Sequence, residues 1–113
     1  MSTVSTHVLD TARGKPAGEV AVRLEHEEAP EKWRLVGSGR TDSNGRCTQL
    51  LGGEKLAAGT YRLSFDTKSY FVAQKIEGLY PQVQVIFAVR DGDGHFHIPL
   101  LLSPNGYTTY RGS

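Results

Sequence analysis

Three histidines could do chemistry: His95 and His97, one residue apart in "HFHIPLLLS", and His7 in "STHVLD". Imidazole titrates near neutral pH, so it can take a proton from water or, unprotonated, ligate a metal. In an extended strand side chains alternate between faces. His95, His97, Pro99 and Leu101 therefore share one side, and Phe96, Ile98, Leu100 and Leu102 share the other, which suits a core. The same alternation groups His7 with Ser5 and Leu9, opposite Val4, Thr6 and Val8. Three imidazoles are enough for a three-nitrogen metal site, yet no cysteine pair and no carboxylate at metal-ligand spacing accompanies them. A histidine base is the competing reading. His26, beside "EEAPEK", reads as a solvated surface residue.

Arg40 and Arg46 flank the turn "GRTDSNGRC". Either can present a planar set of donors to an anionic or carbonyl-rich ligand, or simply be the solvated arginine of a hairpin. Cys47, the single cysteine, cannot form an internal disulfide and in this polar context reads as incidental. No Gly-x-Ser-x-Gly elbow, phosphate-cradling loop or dinucleotide fingerprint occurs. What is left is a metal-free histidine site or no enzyme.

Those side chains need a scaffold, and 113 residues suffice for one domain, spanning 1–113, with one core. Thirteen basic against 12 acidic side chains give no net field to draw in nucleic acid or an anionic membrane, so neither is expected as a partner. No secretory leader pattern and no membrane-length apolar run occurs, which points to the cytoplasm. Alternation marks strands in "EVAVRLEH" (Val20, Val22, Leu24 inward), "TYRLSFD" (Tyr61, Leu63, Phe65) and "VQVIFAVR" (Val83, Val85, Phe87, Val89). "RGKPAG", "DSNGR", "AAGT" and "RDGDGH" supply turns. "DTKSYFVAQKIEG" breaks the alternation and reads as a short helix. The expected fold is all-β, an antiparallel β-sandwich of two sheets and seven to eight strands with one short helix. Pro99 cannot donate to a ladder, so its strand is expected at an edge or irregular, needing cover that a second subunit could give. The tail "GYTTYRGS" alternates Tyr107, Thr109, Arg111 and Ser113 against Thr108, Tyr110 and Gly112, as a packed strand does.

Taken together, "STHVLD", "GKPA", "GRTDSNGRC" and "HFHIPLLLSPNGYTTYRGS" resemble the 5-hydroxyisourate hydrolases, the transthyretin-related enzymes of urate breakdown. The resemblance runs from Ser5 to Ser113, and the Tyr-Arg-Gly-Ser tetrapeptide is its most specific mark. It implies a transthyretin-like sandwich assembled as a homotetramer, a dimer of dimers with sites at the dimer–dimer interface. It implies hydrolysis of the cyclic amide of 5-hydroxyisourate without metal or organic cofactor. His7, Arg46, His97 and Ser113 correspond to the family's catalytic residues, and Tyr110, Arg111 and Gly112 join His7, Arg46 and Ser113 in binding substrate. On this reading the tail delivers Arg111 and Ser113 to the same channel as His97. Many members have Phe where this chain has Asn105 and Tyr where it has Phe96; the first falls in a turn and the second on the core face. The alternative is a transthyretin-like hormone carrier without catalysis, from which the tetrapeptide and the paired histidines set this chain apart.

Overall fold

Alternating apolar residues become strands here because each can lay one face on a shared core. The computed structural model describes residues 3–51, 55–91 and 94–112. Its elements are β1 (Thr3–Asp10), β2 (Lys15–Pro16), β3 (Ala21–Ala29), β4 (Lys32–Arg40), β5 (Arg46–Cys47), β6 (Gly59–Phe65), α1 (Thr67–Ala73), β7 (Val83–Val89), β8 (His95–Ser103) and β9 (Gly106–Thr109). One sheet runs β2-β1-β8-β9, with β5 also paired to β1; the other runs β4-β3-β6-β7. Val4, Val8, Phe96, Ile98, Leu100 and Leu102 of the first sheet meet Val22, Leu24, Leu63, Phe65 and Val83 of the second, all buried. Full burial of each aliphatic or aromatic side chain is worth about 1.5–3 kcal/mol, so this interior is what holds the two sheets together.

The sandwich is all-β with one short helix, as the alternation implies. One pairing departs from antiparallel: β1 and β8 run parallel, in register from Thr3↔His95 to Asp10↔Leu102. Strands far apart in sequence thus lie side by side, and the outward residues of β1 stand next to those of β8. Asp66 caps α1 by accepting from the Ser69 N–H at 3.1 Å and the Ser69 hydroxyl at 2.6 Å, bonds that hold its carboxyl below the ordinary carboxylate range. The helix is tied back to β1 by a buried pair: the Tyr70 hydroxyl donates to Asp10 at 2.7 Å, and the Arg13 N–H donates to the same carboxylate at 3.0 Å. Burial, reinforced by the bond to Asp10, pushes the Tyr70 phenol up.

Two local expectations change, for the strand of Pro99 and for Cys47. β8 is an interior strand between β1 and β9, not an edge. β9 pairs with it as far as Leu100↔Thr109, and the same register resumes at His97↔Gly112. Pro99 lies in the gap, where a missing N–H interrupts the ladder without ending the strand; its carbonyl accepts from the Thr109 hydroxyl at 2.8 Å. β4 shows no clear alternation because a bulge opposite Leu24 and Glu25 shifts its register. Cys47 is not a residue of a polar turn: it pairs with Thr6, is 6% exposed and joins the core, and burial raises its thiol pKa.

Candidate functional site

The outer face of the β5-β1-β8 sheet carries a cleft of ≈ 400 Å³ lined by Thr3, Val4, Ser5, Thr6, Arg46, Thr48, His95 and His97. Register explains the gathering. Ser5 pairs with His97 and Thr3 with His95 across the β1–β8 ladder, while His7 pairs with Arg46 across β1–β5. The Ser5 hydroxyl is 2.9 Å from His97 Nδ1 and 3.3 Å from His95 Nε2, and the Thr3 hydroxyl contacts His95 Nδ1. The two imidazoles stack nearly parallel at 11°, with centroids 6.2 Å apart.

His7 has a defined tautomer. Its Nε2 lies 2.8 Å from the Asn44 carbonyl oxygen; a carbonyl only accepts, so Nε2 carries the proton and Nδ1 keeps its lone pair when the ring is neutral. Arg46 is placed by the turn before it. Asp42 accepts from the N–H groups of Arg46 at 3.0 Å and Asn44 at 2.8 Å, and these bonds, the one from Arg46 foremost, hold its carboxyl below the ordinary range. The carbonyl of Gly45, which sits at φ +79, accepts from the Val8 N–H at 2.7 Å. A Cβ there would stand 2.4 Å from the Val8 carbonyl oxygen. Gly45→Ala should therefore destabilise the fold by about 2 kcal/mol or more, since the left-handed backbone alone costs roughly 1–2 kcal/mol. Denaturant unfolding measures this, and an unchanged midpoint would contradict it.

Burial, followed by the positive charge of His95, His7 and Arg46, holds the His97 pKa below the ordinary 6.5. The ring is accordingly neutral at neutral pH. The folded state binds this proton less readily than the unfolded chain, so the ring contributes no penalty above pH 6.5 and costs stability as the pH falls through its depressed pKa. A proton-detected titration of the ring should give a midpoint under 6.5, and one above it would contradict the electrostatics.

Of the residues expected at a site, Arg46 and His97 line this cleft, His7 stands beside Arg46 across the β1–β5 ladder, and Gly112 packs against His97. The Gly112 N–H donates to the His97 carbonyl at 2.7 Å, and a Cβ on Gly112 would lie 2.7 Å from His97 Cδ2. Arg111 does not share the cleft. Its guanidinium lies 4.3 Å over the Phe96 ring, on the opposite face of the sheet, and reaches back to the His95 carbonyl at 3.3 Å. With Tyr110 it lines a second, more apolar cleft containing Val85, Phe87 and Ile98. Ser113 falls outside the described residues. Arg40 is engaged elsewhere, donating to the Glu19 carbonyl at 3.1 Å. His26 is not a freely solvated histidine: it stacks on Tyr61 with centroids 4.5 Å apart. Ser5 and Thr3 belong to no chemical motif in the sequence, although Ser5 shares the alternating face of His7. Among the described residues no group of three His, Cys, Asp or Glu side chains converges as a metal site.

The sequence pattern of the HIUase/Transthyretin family matches residues 4–112. The chain is 46% identical to 5-hydroxyisourate hydrolase of Mus musculus over 99% of this chain and 96% of the relative. It is 44% identical to that of Caulobacter vibrioides over the full length of both. Among solved structures, Klebsiella pneumoniae 5-hydroxyisourate hydrolase superposes with a TM-score of 0.87 at 36% identity, covering all of both chains. Transthyretin from Sparus aurata superposes with a TM-score of 0.89 at 34% identity, covering 96% of this chain and 95% of that one. The hydrolase and the transthyretin superpose on this backbone about equally well, so the fold by itself does not separate them. Sequence motifs, full-length similarity and backbone superposition agree that the chain belongs to the HIUase/Transthyretin family.

Proposed function

We propose that this protein is a 5-hydroxyisourate hydrolase, opening the cyclic amide of its substrate to 2-oxo-4-hydroxy-4-carboxy-5-ureidoimidazoline in urate degradation. The observation that carries the reading is a neutral His97 facing a cleft that also holds the Arg46 cation. Hydrolysis needs a base to deprotonate water and a donor to stabilise the charge that grows on the attacked carbonyl oxygen. The lone pairs of His97 Nε2 and His7 Nδ1 are the available bases. Arg46 supplies the cation. Water oxygen bonds to the ring carbonyl carbon, the carbon–nitrogen bond breaks, and the captured proton goes to the departing nitrogen. No metal or organic cofactor enters these steps.

The tail borders this site where Gly112 lies against the His97 ring, Arg111 braces it from the opposite face through the His95 carbonyl, and Tyr110 and Ser113 are assigned to the site by the family resemblance alone. The cleft is open on the outer face of a sheet, and a homotetramer built as a dimer of dimers would close it with a second copy, placing each site at the dimer–dimer interface. Neither nucleic acid nor membrane is a partner on this reading, and the protein works in the cytoplasm. Among the described residues no helix is long and apolar enough to cross a membrane.

Freshly made urate oxidase product supplies the test. The folded protein should accelerate the loss of the ultraviolet band of 5-hydroxyisourate over its spontaneous decay, with the acid limb of kcat/KM below pH 6.5. Absence of acceleration, together with binding of thyroid hormone, would establish the carrier reading instead.

A further inference from the structure

Behind His97 lies a chain of hydrogen-bonding groups for which hydrolysis, as just described, assigns no role. His97 Nδ1, Ser5 Oγ, His95 Nε2, His95 Nδ1 and Thr3 Oγ1 follow one another without a gap, from a half-buried ring to an exposed one. Ser5 is only 7% exposed although it lies on the outer face, because the two imidazoles cover it. A hydroxyl carries one proton, so Ser5 can donate to only one of its two ring nitrogens and must accept from the other.

That restriction couples the two rings. When His97 Nδ1–H donates to Ser5, Ser5 donates to His95 Nε2, and His95 Nδ1–H donates to Thr3; His97 Nε2 is then bare and can act as a base. When the row points the other way, His97 Nε2 already holds a proton and the ring cannot take another there. We propose that Ser5 and His95 are positioning residues that set the His97 tautomer and carry the charge of its captured proton to the protein surface. The inference rests on the hydrolase reading.

The proton balance is simple. Water gives a proton to His97 Nε2, making an imidazolium close enough to His7 on β1 and Arg46 on β5 to feel their charge, a site where a further positive charge is disfavoured. The Nδ1 proton of His97 then moves to Ser5 Oγ as the Ser5 proton moves to His95 Nε2. His97 is left neutral with Nε2–H, ready to protonate the departing nitrogen, and the positive charge sits on exposed His95, where water screens it. As that nitrogen takes the Nε2 proton, Ser5 returns its proton to His97 Nδ1 and His95 Nε2–H donates one back to Ser5 in the same step, so no imidazolate forms and both rings end neutral. Arg111, which donates to the His95 carbonyl and not to its ring, leaves this path open.

Ser5→Ala and His95→Gln should each lower kcat by about 10–100-fold, as loss of a group that orients a reactive imidazole typically does, with KM little changed. The Ser5→Ala/His95→Gln double variant should be no slower than the slower single variant, and Ser5→Thr should recover most of the rate. Multiplicative losses in the double variant, or no recovery with threonine, would overturn the relay. Nitrogen-15 NMR of the substrate-free wild-type protein at neutral pH gives an independent reading: His97 and His95 should both carry the proton on Nδ1. A His97 ring protonated on Nε2 would also overturn it. If the wild type fails to hydrolyse 5-hydroxyisourate, the function falls while the tautomer measurement still decides the coupling.

Discussion

His97→Ala and Arg46→Ala should each lower kcat/KM by about 10²–10⁴-fold, the range typical for loss of a general base or of a preorganised charge stabiliser. Both proteins should stay folded. His97 projects from the outer face of β8 while its neighbours Phe96 and Ile98 hold the core. Arg46 is exposed, and what secures its strand is backbone, through Asp42 and the Val8–Gly45 bond, which alanine preserves. Stability changes within about 0.5 kcal/mol are expected for such positions. Removing Arg46 also withdraws one of the charges that depress His97, so the ring pKa should rise in that variant. Steady-state kinetics beside thermal melts make the comparison. Retention of the wild-type rate in either variant would remove that residue from the mechanism, and inactivity explained by unfolding would leave the roles assigned to these side chains without support.

The second large effect concerns the tail. Deleting residues 110–113 should cut turnover at least ~10²-fold, because a displacement of about 1 Å at a catalytic group can cost that much. His97 would lose the strand that holds its backbone, the 2.7 Å bond from Gly112. The stability cost should be far smaller. One backbone hydrogen bond contributes roughly 1 kcal/mol net, and the Arg111 guanidinium over Phe96 about 0.5–1 kcal/mol. Gly112→Ala is the finer probe, since only one methyl is added, 2.7 Å from His97 Cδ2 and 3.4 Å from Cγ. It should displace the ring and lower kcat with the unfolding midpoint nearly unchanged. A truncated protein with full activity, or a Gly112→Ala enzyme as fast as wild type, would show that the tail does not shape the site.

Both outcomes depend on a division of labour between the two faces of one sheet. The inner faces of β1 and β8 supply Val4, Val8, Phe96, Ile98, Leu100 and Leu102 to the core. The outer faces carry Ser5, His7, His95 and His97, whose chemistry can be altered without removing buried apolar area. A rigid sandwich therefore presents a modifiable surface, which is how one backbone can superpose on a 5-hydroxyisourate hydrolase and on a transthyretin alike.

Local features were legible from residue order alone. Period-two alternation put His7, His95 and His97 outward, Asn-Gly marked the turn before Arg46, and the lapse in alternation marked α1 with Asp66 at its start. These follow from steric rules that act over a few residues. Which segments become neighbours was decided only in three dimensions. Ser5 and His97 are 92 positions apart in the chain, and nothing in either motif says that β1 and β8 pair in parallel with those two residues side by side. The same holds for Pro99 inside a sheet, His26 stacked on Tyr61, and Arg111 turned toward Phe96. Asp10 meets Tyr70 across a separation of 60. Sequence determined the chemistry available on each face. Packing of the two sheets around one core decided which of those groups touch, because burial rewards only the pairing and register that close both apolar faces together.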